Sequence, residues 1–531
     1  MRRREFITLL GGTAAAASAI WPFSAHAQQA KVARIGFLGL VSPSSHAPRV
    51  AALRAGLRDL GWIEGKNILI EFRWADGNYE RLPALAEESG GARCDPRDTR
   101  ADAGHRMTVR RAGRWAFIIT AVVLVAGLVT AAFAMRNLLS GKSGGAAQIV
   151  NASPEVVARG KYLAEAADCA ACHTAPNGAP FAGGLPMATG FGTIYATNIT
   201  PDPDDGIGRW SAEDFWRALH DGVRRDGRQL YPAMPYTSYR GITRADADAI
   251  YAYVLQLRPM KVANRKTELN FPFSVRLGML GWNLLFLHDS LPAASAGSSP
   301  AWQRGRYLVN VLGHCGECHT PRGLVGNMEL SHALTGFALG RVAAPDITPA
   351  GLASRGWTAA ALRNFLGSGL ARQGSAFSDM HPVIMLSTRN LTAEDLSSVA
   401  TYLLGDSPPP GAPLPAIPPP EIAAANDAGR ISYLALCAGC HGLEGNGVPN
   451  TVVAMRGNST LRLADPRNLI VAMLDGIGAE NFPHRQSMQA MPGFSDKLSD
   501  GEAAALANYL RAAWGGQKGD VTPAAVRALR R

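Results

Sequence analysis

The chain has 531 residues, enough for about three or four domains of ordinary size, and its 47% hydrophobic and 18% charged residues are typical of a globular protein. Its formal net charge of +11 would suit a nucleic-acid-binding protein, but residues 1–114 carry 18 of the basic and 11 of the acidic residues, so most of the surplus lies there. No basic patch interleaved with aromatic residues follows, and we expect no nucleic acid as a partner.

Residues 1–27 are typical of a cleavable export signal. Three arginines at positions 2–4 precede an apolar stretch, and Ala25-His26-Ala27 suits a signal peptidase. The paired arginines followed by Glu5-Phe6 resemble a Tat signal.

Residues 31–88 predict one strand–helix–strand unit. "ARIGFLGL" and "NILIEFRW" predict strands, with a helix between them over Arg49–Gly61. This stretch resembles the start of an ABC-type substrate-binding protein, a fold that needs many more such units. Because a lone unit cannot bury both faces of its sheet, we interpret residues 1–106 as a foreign or mis-joined fragment. A genuinely fused domain is the alternative.

Residues 115–135, from Trp115 to Met135, form a 21-residue apolar stretch without a charge. At about 1.5 Å per residue this stretch could cross a hydrocarbon core of about 30 Å, which predicts a transmembrane anchor. The preceding arginines place its N-terminal side in the cytoplasm and everything after it outside. A cleavable signal ending at Ala132-Phe133-Ala134 is the alternative, and Met107 would be a start consistent with this topology.

Three copies of C-x-x-C-H follow, and they contain six of the seven cysteines: Cys169, Cys172 and His173; Cys315, Cys318 and His319; Cys437, Cys440 and His441. Two cysteines at this spacing can form thioether links to the vinyl groups of haem, and the adjacent histidine can then ligate the iron. A thioredoxin-like redox pair or half of a zinc site could share the motif. Three copies beyond an export anchor favour three covalently bound haems c.

The sequence around each motif is repeated as well. Gly160, Gly305 and Gly429 open the three units, and the closing helices begin at Thr243, Thr392 and Ser499, each with a carboxylate three residues later as in a capping box. We therefore predict a mainly α protein with three tandem cytochrome c-like haem domains at 151–260, 298–406 and 422–516. They would follow a single transmembrane helix and an orphan α/β fragment.

A sixth iron ligand can be predicted in each unit. Met234 and Met380 both lie 61 residues after their histidines, and Met491 lies 50 residues after its histidine. A thioether ligand raises the reduction potential and suits electron transfer. The rival ligands in these units are Met187, Met385, His381 and Met488.

Two connections join the units. The proline-rich stretch 407–421 predicts a polyproline spacer before the third unit. Residues 270–288, "NFPFSVRLGMLGWNLLFLH", are apolar and aromatic but too interrupted to cross a bilayer. We expect them to be buried between the first two units, with docking onto a catalytic subunit or the membrane surface as the alternative.

From about residue 107 onward the chain resembles the membrane-bound three-haem cytochrome c subunits of bacterial dehydrogenases. The resemblance rests on "DCAACHTAPNGAPFAGGLPM", "LYPAMPY", "GHCGECHTPRG" and "AMPGFSDKLSD". It implies a separate catalytic subunit, of the quinoprotein, flavoprotein or molybdenum type, that oxidises the substrate. It also implies electron transfer to ubiquinone or a terminal oxidase from haem domains on the periplasmic side of the inner membrane.

The resemblance implies a non-catalytic electron-transfer subunit, because no nucleotide, flavin or molybdenum motif and no nucleophile–base arrangement is recognisable after residue 107. An autonomous membrane-tethered electron carrier without a dehydrogenase partner is the alternative function. A thiol or zinc protein is the second alternative.

Overall fold

The computed structural model describes residues 33–39, 42–76, 81 and 84–85, and then 152–288, 291–294, 297–408, 410, 413 and 427–531. The signal peptide, the predicted anchor 115–135 and most of the proline-rich stretch therefore lie outside the described residues. Within the described ranges, no helix is both long and apolar enough to cross a membrane.

The N-terminal part forms the predicted strand–helix–strand unit. β1 (Ala33–Gly39) and β2 (Ile68–Trp74) are parallel, with Ala33 opposite Ile68. The helix α1 spans Pro43–Asp59 and so begins earlier than predicted. Proline has a preset φ and needs no hydrogen-bonded N–H, which makes it a favourable first residue of a helix.

The first haem unit is mainly helical with a small antiparallel sheet. Its helices are α2 (Pro154–Ala166), α3 (Cys169–His173), α4 (Ala212–Asp221), α5 (Tyr236–Tyr239) and α6 (Arg244–Val254), and its strands are β3 (Pro186–Thr189), β4 (Gly192–Tyr195) and β5 (Glu268–Leu269). The helix α7 (Gly278–Phe286) follows in the connection to the second unit.

The second unit repeats this plan. Its helices are α8 (Pro300–Tyr307, continued as a π-helix over Leu308–Leu312), α9 (Gly316–His319), α10 (Pro349–Ser354), α11 (Ala359–Ser368), α12 (Met380–Leu386) and α13 (Ala393–Leu404). Its two hairpins pair β6 (Phe337–Leu339) with β7 (Val342–Ala344) and β8 (Leu370–Ala371) with β9 (Gly374–Ser375).

The third unit has the same opening and closing helices. Its helices are α14 (Asp427–Leu436), α15 (Ala438–His441), α16 (Arg467–Asp475), α17 (Asp500–Leu510, continued as a π-helix over Arg511–Gly515) and α18 (Pro523–Leu529). One hairpin pairs β10 (Glu480–Phe482) with β11 (Gln486–Met488).

The opening glycines mark the place where the first and last helices of each unit cross. A Cβ atom on Gly160 would lie 1.9 Å from the carbonyl oxygen of Ala249, and one on Gly305 would lie 1.9 Å from that of Ser398. On Gly429 the distance to the carbonyl oxygen of Ala505 would be 2.2 Å. Only glycine allows backbones to approach this closely, so the repeated glycine is required by the packing of the helices.

The three units do not share one core. Buried apolar residues of the first and second units, joined by Phe482 of the third, form one continuous cluster, which includes Leu163, Val254, Leu312 and Leu404. A separate cluster around Tyr433 fills the third unit. The first two units are therefore packed together as one body, and the third has a core of its own.

Two reciprocal side-chain pairs join the first two units. Tyr162 of the first unit donates to Asp395 of the second at 2.5 Å, and Tyr307 of the second donates to Asp246 of the first at 2.6 Å. Each carboxylate also has an arginine partner, Arg304 for Asp395 and Arg159 for Asp246. This exchange relates the two units in the manner of a two-fold axis.

The predicted capping boxes also distinguish the third unit from the first two. Ser499 and Glu502 form a complete box in the third unit, with the Glu502 carboxylate accepting from the Ser499 N–H at 2.9 Å. At Thr392 that acceptor is the hydroxyl of Tyr162 from the first unit, because Asp395 is engaged with Tyr162 and Arg304. At Thr243 of the first unit the Tyr307 hydroxyl accepts in the same way, so the capping-box prediction is correct for the third unit and wrong in this detail for the first and second.

The third unit docks on the second through polar groups and through Phe482 of its hairpin, which is buried in the core of the first two units. Arg341 forms an ion pair with Asp475 and donates to the Leu529 carbonyl. The Asn468 side chain exchanges two hydrogen bonds of 2.8 Å with the backbone of Ala343. The proline-rich stretch therefore connects units that touch each other directly.

The connection 270–288 is only partly buried, so the prediction of burial between the first two units is wrong for much of it. Met279, Leu280 and Asn283 on one face of α7 are buried. Leu284 and Leu285 on the opposite face are exposed, as is Phe271 before the helix. The prediction failed because a helix that is apolar on all faces gives no signal of which face the protein covers.

Candidate haem-binding sites

Each C-x-x-C-H motif occupies a single short helical turn, α3, α9 or α15, near the end of the helix that opens its unit. None of the six cysteines of these motifs forms a disulfide in the described part of the chain. One turn brings residues three and four positions apart onto the same side of a helix, so both sulfurs and the imidazole can face one ligand.

The acidity of the thiols argues against the thioredoxin-like alternative. Burial raises the pKa of Cys169 and Cys315 to about 12, and it raises the pKa of Cys437 to about 11. A thiol that acts as a redox nucleophile has a lowered pKa instead. Among the described residues, no group of three or more His, Cys, Asp or Glu side chains could hold a metal ion, which is the arrangement that a zinc site requires.

The three histidines share one hydrogen-bonding arrangement. Nδ1 of His173 lies 2.6 Å from the Thr197 carbonyl, Nδ1 of His319 lies 2.6 Å from the Pro345 carbonyl, and Nδ1 of His441 lies 3.0 Å from that of Val453. Burial lowers the pKa of all three imidazoles and favours the neutral form. A neutral imidazole that donates through Nδ1 leaves Nε2 free as a metal ligand and holds the ring in a fixed orientation.

These carbonyl acceptors could not be identified from the sequence, where the stretches "TNIT" at 197–200 and "PDIT" at 345–348 indicate only loops that lead into helices. Their repetition after the first two motifs was the available signal, since both place a carbonyl about 25 residues after the histidine. In the third unit the carbonyl lies 12 residues after the histidine, so sequence spacing alone could not reveal it.

The second unit encloses a cavity of about 260 Å³ at its motif. Cys315, Cys318 and His319 line it, and so does Met380, the predicted sixth ligand. The rival ligands Met385 and His381 are not among the lining residues, although both are neighbours of Met380 on α12. The structure therefore brings the predicted set together around one cavity, and iron ligation by Met380 stays a prediction.

The other two methionines lie in the cores that hold their motifs. Met234 packs against the core that also contacts Cys169, whereas Met187 lies on the β3 hairpin outside that core. Met491 packs against the third core, which contains Cys437. Met488, its rival, packs against the core of the first two units.

The cavity of the second unit also has a polar end that fits the carboxylates of haem. Arg355 is buried there; its Nη2 donates to the backbone carbonyl of Asp346, whose carboxylate is near enough to offset part of the effect of burial on the Arg355 pKa. Burial lowers the pKa of Arg355 to about 10. Its Nε donates to Ser459 of the third unit at 3.0 Å, and Trp357 donates to the same hydroxyl at 3.2 Å. A buried guanidinium of this kind favours an anionic group in the cavity, and haem propionates supply one.

The first two motifs lie close to each other. Burial raises the pKa of Cys172 to about 11, and the neighbouring Asp168 and Cys318 raise it further. Glu317, inside the second motif, accepts from Thr237 and Ser238, which follow Met234 in the first unit. The second motif is thereby tied to the loop that carries the predicted methionine of the first.

Comparison with known proteins defines the class of the chain. A family model described as cytochrome c matches residues 157–258 and 427–514, in the first and third units. This agrees with the helical units and with the histidine geometry at each motif.

The relatives are more specific. The cytochrome c subunit of the quinone alcohol dehydrogenase of Gluconacetobacter polyoxogenes is 35% identical over 438 residues, which cover 76% of this chain and 89% of the relative. The gluconate 2-dehydrogenase cytochrome c subunit of Pantoea cypripedii is 36% identical over 404 residues, covering 72% and 90%. A nicotinate dehydrogenase component of Pseudomonas putida is 40% identical over 364 residues, which are 68% of this chain but only 30% of that protein's length. The chain belongs to the cytochrome c subunits of bacterial dehydrogenases.

Proposed function

We propose that this protein carries three covalently bound haems c and passes electrons from a dehydrogenase catalytic subunit to ubiquinone or a terminal oxidase. We further propose that residues 115–135 anchor it in the inner membrane with the haem units on the periplasmic side. The observation that carries the proposal is the repeated geometry of three C-x-x-C-H turns, each with its histidine Nδ1 at a backbone carbonyl. The relatives named above support the dehydrogenase partner, whose type we leave open among quinoprotein, flavoprotein and molybdenum enzymes.

Bound haem c would supply one-electron redox chemistry at each motif. The chain's own residues would hold it there: two cysteine sulfurs as thioether links, one histidine Nε2 as an iron ligand and, in our proposal, Met234, Met380 or Met491 as the second iron ligand. Arg355 would hold negative charge at the inner end of the second cavity. The apolar walls of that cavity would exclude water and thereby favour the reduced state.

The haem content of the purified full-length protein tests the proposal. Pyridine haemochrome measurement should give three haems per chain. Replacing both Cys437 and Cys440 by Ala should leave two, because the third unit has its own core and the other two motifs are untouched. A wild-type ratio of one or two would contradict the proposal.

The same preparations test the axial ligands. Met380→Ala should convert about a third of the haem to a high-spin form, because one of three irons would lose its thioether. Met385→Ala, further along α12 and outside the cavity lining, is the matched control and should leave the spectrum unchanged. A fully low-spin Met380→Ala protein would show that another group is the ligand.

A further inference from the structure

The connection between the first two units presents an apolar surface that no other described residue covers. Leu285 on α7 is 67% exposed, Phe271 before the helix is 82% exposed, and Leu324 on a neighbouring loop is 99% exposed. Large exposed apolar patches on soluble surfaces mark sites that contact another protein or a membrane. We call this patch the apolar face and define it by Phe191, Phe271, Phe273, Leu277, Trp282, Leu284, Leu285, Leu324 and Val325.

The apolar face is continuous. The rings of Phe191 and Phe273 are 4.3 Å apart, and Phe191 also lies against Gly326 on the loop that carries Leu324 and Val325. The indole N–H of Trp282 on α7 donates to the Val325 carbonyl at 3.0 Å. The turn between β3 and β4, the connection 270–288 and the loop that carries Leu324 thus form one surface.

The charges beside the apolar face are mainly positive. Arg276 is the single charged residue among Lys, Arg, Asp and Glu in residues 270–288. Burial lowers the pKa of Arg276, and the nearby Arg228 and Arg224 lower it further. Asp226 pairs with both of those arginines and offsets part of their charge. The remaining positive charge favours an anionic surface.

We propose that the apolar face inserts into the outer leaflet boundary of an anionic bilayer and so holds the first haem unit against the membrane. This inference rests on the proposed membrane location. Projecting Phe and Leu side chains beside arginines are typical of interfacial segments, whereas protein interfaces centre on side chains that fill pockets of the partner. The 16 residues from 136 to 151 join the proposed anchor to the first unit and can span at most about 55 Å, which keeps that unit near the bilayer.

Insertion of the apolar face would fix the position, relative to the bilayer, of the loop that carries Met234, the predicted iron ligand of the first unit. Asn283 on the buried face of α7 accepts from Tyr236 at 2.7 Å and donates to Gln229 at 2.8 Å. Tyr236 follows Met234 by two residues and is fully buried. The loop is therefore fixed to the helix that contacts the lipid, and the first haem site would face the membrane that contains a lipid-soluble quinone.

A fluorescence experiment on the full-length holoprotein tests this docking. In a Cys94→Ser background, the variant Leu285→Cys would be labelled with a nitrobenzoxadiazole dye, since the six motif cysteines are blocked by haem. The matched control is Ile431→Cys on α14 of the third unit, where the native side chain is 59% exposed. Both proteins would be reconstituted into vesicles of phosphatidylethanolamine and phosphatidylglycerol.

We expect quenching by aqueous iodide to fall about fivefold at position 285 on reconstitution, with strong quenching by spin-labelled lipid, and to change less than about twofold at position 431. Equal iodide access at both positions in vesicle-bound protein would overturn the docking but leave the anchor intact. Shielding of position 285 only after a dehydrogenase subunit is added would assign the face to a protein partner and overturn it too. Failure of the protein to bind vesicles at all would refute both the anchor and the docking.

Discussion

The first two units pack on each other in one way, and the third unit packs on the second in another. The first two share one apolar core and exchange tyrosine–aspartate pairs, whereas the third has its own core and touches the second through polar groups and the side chain of Phe482. The difference can be traced to one position. Two residues after the opening glycine stand Tyr162 and Tyr307 in the paired units, and an exposed Ile431 in the third. Without that tyrosine the third unit cannot enter the exchange, and its helix cap is completed by its own Glu502.

The comparison teaches that the repeats form a permanent pair plus a separable unit. Removing the apolar contact between the first two units would expose a continuous core, which costs roughly 25 cal/mol for every Å² of apolar surface. The contact with the third unit rests on partly exposed ion pairs, on hydrogen bonds and on one short hairpin that buries Phe482, which together contribute less than a shared core. Damage to either paired unit should therefore affect both, and damage to the third should stay local.

The largest expected effect comes from the helix crossings. Gly305→Ala should destabilise the paired units by about 3 kcal/mol or more, because its Cβ would collide with the Ser398 carbonyl. Gly429→Ala should destabilise only the third unit. We expect covalent haem to fall toward one per chain in the first variant and toward two in the second, as measured by pyridine haemochrome.

Gly501→Ala is the matched control for both variants. It also lies in a helix, α17, but nothing stands within 4 Å of its Cβ position. This protein should keep three haems. Loss of a single haem in the Gly305→Ala protein would mean that the paired units fold independently.

A smaller effect on stability is expected when acid protonates the aspartates of the two reciprocal tyrosine–aspartate pairs. Burial by itself raises the pKa of Asp246 and Asp395, but hydrogen bonds from tyrosine and arginine outweigh it and lower both pKa values. A lowered pKa stabilises the fold above the unfolded value of about 3.9, and that contribution is lost as the pH falls through the folded pKa. The melting temperature of the paired units should therefore drop steeply below about pH 4.

The double variant Asp246→Asn, Asp395→Asn tests this pH dependence by calorimetry. We expect the double variant to lower the free energy of unfolding by about 2 kcal/mol at pH 7, a moderate loss because the arginine partners are partly exposed. We also expect the melting temperature of its paired units to depend less on pH below about pH 4. The transition of the third unit should be unaffected. An unchanged pH dependence would show that other carboxylates control the stability of the pair.

The smallest effect should follow from loosening the third unit. Arg341→Ala removes the ion pair with Asp475 and the bond to the Leu529 carbonyl, at a cost of about 1 kcal/mol. Proteolysis within residues 407–421 should become several-fold faster while all three haems are retained. Arg209→Ala, which breaks an exposed pair with Asp204, is the control and should leave the rate unchanged. Equal rates in both variants would show that Arg341 does not hold the third unit in place.

Much of the candidate site could be predicted from the sequence because it is local. Cys169, Cys172 and His173 lie within one helical turn, so their spacing alone predicts that one ligand can contact all three side chains. The methionines follow at repeated distances, and the structure puts Met380 in the cavity of His319. The helix α7 could be predicted as apolar but its uncovered face could not, because hydropathy does not say which face finds a partner.

The sequence by itself determined that there are three similar units, each with a C-x-x-C-H turn, a crossing glycine and a capped closing helix. These features depend on residues near one another in the chain, and their repetition allows them to be recognised from the sequence. Only the tertiary structure decided that Asp246 and Asp395 serve the neighbouring unit, that Ser459 of the third unit reaches Arg355 of the second, and that backbone carbonyls orient the histidines. These contacts join residues far apart in the chain, and each donor had several possible acceptors until packing brought one of them within hydrogen-bonding distance.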